Sequence, residues 1–349
     1  MSFSEIDQRS IAVIKGLAMD APHTAKSGHQ GTAMALAPLA HVLWTEIMKY
    51  DAGQPLWPDR DRFILSAGHA SILLYSMLHL TGYGLTLDDL KKFRQLNSIT
   101  PGHPERGHTD GVEVTTGPLG QGFANGVGMA IAERNLRTRL GDDLCNHNIW
   151  VICGDGDLSE GISHEAASLA GHLKLERLTV IYDDNQITID GPTDLALSDD
   201  AALRFRSYGW NVIELGKESE NLESIKSALL EAKTENDRPS IVILKTHIGE
   251  PSPHTDTAAV HGYSLKDEEI SETKIKLGLP ENETFFVPDD VLENYRAAGK
   301  RGEKIRQEWE KNLNDSNNST DLWSVLSGSG LKKGWEECLP VWEPDANIA

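Results

Sequence analysis

The stretch IWVICGDGD, residues 149–157, joins a short apolar run directly to a turn of glycines and aspartates. A short, continuously apolar run is typical of a parallel strand that is covered on both faces. Helical patterns separate this run from others like it, for example at residues 160–173 and 221–233. The similar runs are residues 63–65, 178–182, 211–215 and 240–244. The alternation predicts an α/β fold, an open and mainly parallel sheet with helices on both faces.

The flanks of this core have their own patterns. Ser4 is a suitable cap for a first helix, and residues 32–48 form a helical pattern that is apolar on most sides, as in a buried helix.

The alternation of apolar runs and helical patterns ends near residue 280, so we expect a main domain over 1–280 and a linker-like tail over 281–349. The pattern of residues 289–314 predicts one charged helix. Four of the eight tryptophans lie in the tail, which is therefore expected to pack on its own domain or on a partner: Trp309, Trp323, Trp335 and Trp342.

Composition excludes several classes of protein. The 349 residues include 53 acidic and 33 basic side chains, a net charge of −20, which argues against a general binder of nucleic acid or anionic membranes. We find no apolar run that approaches the roughly 18 residues of a membrane span and no secretory signal pattern. Three cysteines do not make a disulfide framework. We expect a cytoplasmic protein.

Two polar motifs follow neighbouring predicted strands. Gly154-Asp155-Gly156-Asp157 follows one strand, and Asp183-Asp184-Asn185 ends the next. Ligands bind at the carboxyl ends of strands in such sheets, and oxygen ligands suit Mg²⁺. Asp155 and Asn185 are therefore predicted to share one Mg²⁺. Each motif alone is also explained by a tight turn or a helix cap.

Four histidines stand beside small residues in glycine-containing segments: His29, His69, His103 and His261. Glycine permits close approach of a ligand, and imidazole transfers protons near neutral pH. The alternative for each is a structural loop residue. Zinc ligation is disfavoured because these four lack the usual spacing. The loop TTGPLGQG, residues 115–122, can present backbone groups to a ring or a phosphate, but it matches neither a Walker loop nor a dinucleotide fingerprint.

Together, these motifs resemble the amino-terminal, diphosphate-binding region of the transketolase family, whose members use thiamine diphosphate. The resemblance covers residues 4–280 and, more loosely, the tail as an interdomain linker. Gln30 departs from the proline expected after the first histidine. The resemblance implies a metal site for Mg²⁺ or Ca²⁺ made by Asp155, Asn185 and the backbone carbonyl of Ile187. It also implies a set of residues that bind thiamine diphosphate: His69, Gly117, Pro118, Leu119, Gly156, Asn185 and His261.

The resemblance further implies catalytic roles. His29, His103 and His261 would line the substrate channel, bind the hydroxyl groups of the donor ketose and relay protons. Glu160 and Glu165 resemble the buried acidic link between paired active sites of the family. Their alternative is a pair of carboxylates at a helix start, stabilised by the helix dipole.

The implied reaction transfers a two-carbon ketol unit from a ketose phosphate to an aldose phosphate. We expect a separate transketolase carboxy-terminal subunit, with the pyrimidine-binding and carboxy-terminal domains, to complete the active site. The expected assemblies are a homodimer alone and a heterotetramer with that subunit. The alternatives are a non-catalytic module that binds thiamine diphosphate and Mg²⁺, or a truncated fragment. The sequence does not indicate which sugar phosphates are used.

Overall fold

The computed structural model describes residues 3–316 and 334–343. Its centre is a five-stranded sheet in which every neighbouring pair is parallel, in the order β1-β2-β3-β7-β6. A separate two-stranded hairpin, β4 and β5, follows the third strand. All five predicted strands are therefore confirmed. The bounds are β1 Arg62–Leu65, β2 Ile149–Gly154, β3 Leu178–Asp183, β4 Ile187–Thr188, β5 Gly191–Pro192, β6 Asn211–Glu214 and β7 Ser240–Leu244.

Helices cover both faces of the sheet, as predicted. Alternate residues of β2 enter two different cores: Trp150 and Ile152 join one, and Val151 and Cys153 join the other. Burial on both faces explains why the strands read as continuous apolar runs. The α-helices are α1 Glu5–Ala25, α2 Gly31–Ala35, α3 Ala37–Val42, α4 Ser71–Thr81, α5 Leu87–Lys91, α6 Gln121–Leu140, α7 Asp155–Ser159, α8 Gly161–Leu173, α9 Ala201–Ser207, α10 Leu222–Thr234, α11 Asp267–Lys276, α12 Asp289–Gly299 and α13 Glu303–Asp315.

Two helical predictions need correction. Residues 32–48 form α2, α3 and a π-helical turn at Leu43–Ile47 rather than one helix. The predicted helix over 289–314 is two helices, α12 and α13, separated near Gly299 and Gly302. A Cβ atom at these glycines would lie 1.9 Å from the Thr81 carbonyl oxygen and 2.1 Å from that of Tyr50. The break lets the chain approach this backbone closely.

The first part of the tail packs on the main core. Val291 and Tyr295 of α12 are fully buried, and the Trp309 indole donates a hydrogen bond of 3.0 Å to the Leu144 carbonyl. Trp335 is 41% exposed and Trp342 is 57% exposed, and Trp323 lies outside the described residues. The division at residue 280 stays a prediction. Within the described ranges, no helix has the length and apolar character to cross a bilayer.

Candidate active site at the carboxyl edge of the sheet

The carboxyl ends of the strands surround a cavity of about 290 Å³, which we call the histidine cavity. β1 leads into the turn that carries His69, β2 into Asp155, and β3 into Asn185. His261 lies in the segment that follows β7. The parallel register places the ends of β2 and β3 side by side, with Gly154 opposite Asp183. The topology therefore brings residues that are distant in sequence to one site.

Three of the predicted histidines are in ring contact. The centroids of His29 and His69 are 5.2 Å apart, those of His29 and His261 are 5.6 Å apart, and those of His69 and His261 are 5.0 Å apart in a stacked arrangement. His103 lines the same cavity. Four imidazoles thus share one small volume, which a set of unrelated loop histidines would not do.

Burial keeps these imidazoles neutral. Loss of water lowers the pKa of His29 to about 4 and that of His69 well below its ordinary value. The pKa of His103 and that of His261 are lowered for the same reason. Arg94 adds a smaller lowering at His29 and His103 because it is a nearby positive charge. A neutral imidazole offers one donor and one acceptor, as proton relay requires.

Asp155 lines the cavity together with Asp157 and Asp183. The Tyr182 hydroxyl donates a hydrogen bond to its Oδ1, whereas its Oδ2 is buried without a hydrogen-bond partner among the described residues. Burial raises the pKa of Asp155 to about 6, and it raises the pKa of Asp183 to about 7. An unpaired buried carboxylate oxygen is costly unless a cation or donor satisfies it.

Asn185 is held next to these carboxylates. Its Nδ2 donates to Asp183 Oδ2 over 2.7 Å, and its Oδ1 accepts from the backbone N–H of Ile187 over 2.9 Å. The Asn185 amide and Ile187 both line the cavity together with Asp155. The three predicted metal ligands are therefore brought together, with carboxylate, amide and carbonyl oxygens of the kind that Mg²⁺ and Ca²⁺ bind.

The glycine loops set the shape of the cavity. A Cβ atom at Gly68 would lie 2.6 Å from Thr116 Oγ1, and one at Gly156 would lie 2.9 Å from Leu119 Cδ1. A side chain at Gly68 would also lie 2.9 Å from the Gly117 backbone nitrogen, so this loop contact needs glycine, whereas at Gly156 the Leu119 side chain would have to shift. Gly117 and Leu119 line the cavity, whereas Pro118 between them is exposed and does not.

Sequence reasoning assigned no role to Asp157, which joins three of these loops. Its Oδ1 accepts hydrogen bonds from the Ser66 hydroxyl over 2.6 Å and from the Gly120 N–H over 2.8 Å, and its Oδ2 accepts from the Gly154 N–H over 3.0 Å. Its place in the Gly-Asp-Gly-Asp motif was the available signal. Tyr182, the donor to Asp155, was also missed, because it reads as an apolar strand residue.

Glu160 and Glu165 lie outside the cavity. Both are exposed, at the cap position and in the first turns of α8. The family resemblance implies a buried pair, but in this chain the core side of α8 is formed by its small residues, such as Ala166 and Ala167. Burial of the two carboxylates would need a second chain, so their linking role stays a prediction.

Comparison with known proteins identifies the family. Residues 6–322 match the family model "Transketolase, thiamine diphosphate binding domain". Transketolase of Geobacillus stearothermophilus is 46% identical over 99% of this chain and 53% of its own length, and transketolase 1 of Saccharomyces cerevisiae is 45% identical over 97% and 51%.

A solved structure extends the similarity to the whole described fold. The Pichia stipitis transketolase, in complex with sedoheptulose 7-phosphate, superposes with a TM-score of 0.93 at 42% identity, covering 99% of this chain and 52% of that one. The chain thus spans about half the length of the relatives that it matches. It belongs to the family of transketolase thiamine diphosphate binding domains.

Proposed function

We propose that this chain forms the diphosphate- and metal-binding half of a transketolase active site, which transfers a two-carbon ketol unit from a ketose phosphate to an aldose phosphate. The observation that carries the proposal is the histidine cavity, where neutral imidazoles face a group of oxygen ligands. Its lining includes Asp155, Asp157 and Asp183 but, within the described part of the chain, no lysine or arginine.

The residues of the cavity fit both a divalent cation and a diphosphate. Asp155 Oδ2, Asn185 Oδ1 and the Ile187 carbonyl are proposed to hold Mg²⁺ or Ca²⁺, which would satisfy the unpaired oxygen of Asp155. Without such a cation, a diphosphate would be repelled by the buried carboxylates. His69, His261 and the backbone at Gly156 are proposed to contact the diphosphate. Gly117, Pro118 and Leu119 are proposed to hold the aminopyrimidine ring.

Thiamine diphosphate, when bound, supplies the nucleophilic carbon that carries the two-carbon unit. The protein's contribution is orientation and proton transfer. His29 Nδ1 and His261 Nδ1 are buried with no hydrogen-bond partner in the described ranges. These nitrogens, with His103, are proposed to bind the sugar hydroxyl groups and to accept and return their protons. Neutral imidazoles are in the right state for that exchange at pH 7.

We further propose that a partner subunit with the pyrimidine-binding and carboxy-terminal domains completes the active site. The absence of basic residues from the described cavity lining supports it, because a sugar phosphate needs cationic groups. Exposed apolar residues beside the cavity also support it: Leu119 is 38% exposed and Ile189 is 65% exposed.

We propose a homodimer of this chain alone and a heterotetramer with the partner. The free cysteines among the described residues support a cytoplasmic location.

A reconstitution experiment tests the proposal. The full chain is mixed with thiamine diphosphate, Mg²⁺ and a separately expressed polypeptide that carries the other two transketolase domains. Sedoheptulose 7-phosphate serves as donor with an aldose phosphate acceptor, and the new ketose phosphate is measured by mass spectrometry. We expect product only when both polypeptides and the cofactor are present.

Each other outcome has a definite meaning. Product from this chain alone would contradict the partner requirement. Cofactor binding without product from any combination would favour the non-catalytic module. Failure to bind thiamine diphosphate in the presence of Mg²⁺, both alone and in the mixture, would contradict the proposed function itself.

A further inference from the structure

A second cluster of ligand-type side chains lies at the amino edge of the sheet, opposite the histidine cavity. Asp59 precedes β1, and Cys145 and His147 precede β2. All three are buried, and their ligand atoms lie within 4.8 Å of one another. His147 Nδ1 is 3.3 Å from Asp59 Oδ1 and 3.9 Å from Cys145 Sγ. We call these three residues the amino-edge cluster.

The two distances from His147 Nδ1 are close to the edges of a tetrahedral zinc site. With Zn–N and Zn–O bonds near 2.1 Å and a Zn–S bond near 2.3 Å, tetrahedral ligands stand about 3.4 Å apart for N and O and about 3.6 Å apart for S and N. The observed Nδ1–Oδ1 and Nδ1–Sγ distances differ from these by only a few tenths of an ångström, and the Asp59 carboxylate lies within 4.8 Å of Cys145 Sγ. We propose that the amino-edge cluster binds one Zn²⁺ through Asp59 Oδ1, Cys145 Sγ and His147 Nδ1.

The neighbours of Asp59 leave one of its oxygens directed at the cluster. Lys49 Nζ donates to Oδ2 over 2.6 Å, so that oxygen is occupied. The Asn146 N–H donates to Oδ1 over 2.6 Å, which leaves a lone pair for a metal or for the imidazole. These bonds orient Asp59 as a monodentate ligand.

A second carboxylate, that of Glu133, offsets the nearby positive charges. The positive charges of Lys49 and Arg62 lie close enough to Cys145 to repel a cation bound there. The negative charge of Glu133 would attract that cation. Glu133 is 1% exposed, its Oε1 accepts from Arg137, and its Oε2 has no hydrogen-bond partner in the part of the chain that the structure describes. A buried carboxylate oxygen that has no partner among the described residues, on a residue that lines the same cavity as Cys145 and His147, is an independent sign that a cation or donor belongs here.

The cluster also has an entrance. Glu133, Cys145 and His147 line a cavity of about 310 Å³, whose other walls include Leu136, Leu144 and Trp309. A water molecule that enters from this side can take the fourth position of a tetrahedron. Binding releases the thiol proton of Cys145 to solvent, moves the imidazole proton of His147 to Nε2, and changes no oxidation state.

Ligand chemistry separates this site from the proposed Mg²⁺ site. A thiolate and an imidazole select Zn²⁺, whereas the oxygens around Asp155 select Mg²⁺ or Ca²⁺. The resemblance to transketolases assigns no metal to the amino edge, and the inference does not depend on catalysis. Zn²⁺ bound here would link the segment before β1 to the segment before β2 and stabilise the folded structure.

Titration of the metal-free full chain with Co²⁺ tests the site directly. Co²⁺ takes tetrahedral zinc sites and reports a cysteine ligand through a thiolate charge-transfer band. We expect one Co²⁺ per chain with that band, its displacement by one equivalent of Zn²⁺, and no displacement by excess Mg²⁺. A spectrum without the thiolate band, or with Mg²⁺ as an effective competitor, would overturn the proposal.

Variants locate the ion. Cys145→Ser and His147→Gln are expected to weaken Zn²⁺ binding by more than about 100-fold, the upper range for changes outside the first coordination shell. Cys338→Ser, at an exposed free cysteine, is the matched control and should bind as wild type does. Circular dichroism checks that each variant is folded. Folded Cys145→Ser and His147→Gln proteins that bind Zn²⁺ like wild type would show that the cluster is not the site.

Discussion

The two edges of the central sheet satisfy their polar groups in different ways. At the amino edge, the Asp61 carboxylate accepts hydrogen bonds from the backbone of Lys49 and Asn148 and from the Trp150 indole, and Arg60 pairs with Glu113 through two hydrogen bonds. At the carboxyl edge, several buried atoms have no partner among the described residues: His29 Nδ1, Asp155 Oδ2 and His261 Nδ1. Buried polar groups whose hydrogen bonds are all made stabilise the fold. Buried polar groups without a partner occur where a ligand can complete their hydrogen bonds.

The comparison has exceptions, since Trp57 Nε1 and Arg177 Nε, which precede β1 and β3, are also buried with no hydrogen-bond partner among the described residues. One further exception, Glu133 Oε2, belongs to a residue that lines the same cavity as Cys145 and His147 of the amino-edge cluster. By the same reasoning that makes the carboxyl edge a ligand site, this atom marks the place where the amino edge can take an ion. The following changes test the contrast between the edges, from the largest expected effect to the smallest.

Asp155→Ala is expected to have the largest effect. It removes the carboxylate that would hold the cation, so metal-dependent retention of thiamine diphosphate should be lost. Isothermal titration calorimetry with and without Mg²⁺ measures it. Asp142→Ala is the control, because Asp142 is exposed in the segment after α6, away from the cavity lining. Unchanged retention in Asp155→Ala would remove the metal assignment.

Gly31→Ala should destabilise the carboxyl edge. A Cβ atom at Gly31 would lie 2.5 Å from the Val260 carbonyl oxygen, next to His261. We expect a loss of about 1–3 kcal/mol in the free energy of unfolding, as for other overpacked sites. Urea denaturation measures this change.

Gly128→Ala is the matched control for that substitution. It lies within α6, where a Cβ atom would have no neighbour within 4 Å among the described residues. Alanine there should stabilise the helix by about 0.5–1 kcal/mol. Equal stabilities for the Gly31→Ala variant and wild type would show that the close approach is easily relieved.

A pH prediction concerns the helical layer rather than either edge. His41 Nε2 lies 3.0 Å from Asp7 Oδ1, and this hydrogen bond is the largest of the contacts, together with those from Ser4, that lower the pKa of Asp7 to about 2. Because the folded pKa lies below the unfolded value, the stabilisation is present above about pH 4 and is lost as the pH falls through 2. Asp7→Asn should therefore cost at most about 2 kcal/mol at pH 7 and almost nothing near pH 2.

Urea denaturation at several pH values checks the Asp7 prediction. The difference between wild type and Asp7→Asn should shrink steadily below pH 4. A difference that stays constant down to pH 2 would show that the bond to His41 does not depend on the charge of Asp7. Cofactor binding should not change in this variant, since the pair does not line the histidine cavity.

Trp309→Phe should have the smallest effect. It removes the hydrogen bond to the Leu144 carbonyl at the amino edge, which is worth about 1 kcal/mol. Urea denaturation should show this loss, and calorimetry should show unchanged binding of thiamine diphosphate and Mg²⁺. Weaker cofactor binding would mean that the two edges are coupled, against the comparison drawn above.

Much of the fold could be predicted because its signals are local. The five strands are short apolar runs that end at turn residues, and Ser4 lies directly before α1. The break between α12 and α13 could not be predicted, because it depends on the approach of Gly299 and Gly302 to the backbone of other segments. Nothing in the helical pattern of residues 289–314 records that contact.

The candidate site was predictable to a similar degree. Asp155 and Asn185 each follow an apolar strand, so their position at one edge follows from the parallel topology. Asp157 and Tyr182 were missed because their partners are set by tertiary packing. The amino-edge cluster was missed for a related reason. Asp59 and His147 are 88 residues apart in sequence, and neither residue is part of a recognised sequence motif for metal ligands.

The sequence by itself determined the strands, their order along the chain and the motifs at their ends, because side-chain periodicity and turn chemistry act over a few residues. Only the tertiary structure decided which loops meet. It stacked His69 on His261, left Asp155 Oδ2 in a cavity without a hydrogen-bond partner among the described residues, and placed Cys145 beside Asp59 at the other edge. The reason is physical: such contacts arise from the parallel register and the packing of helices on the sheet, which join residues that no local pattern connects.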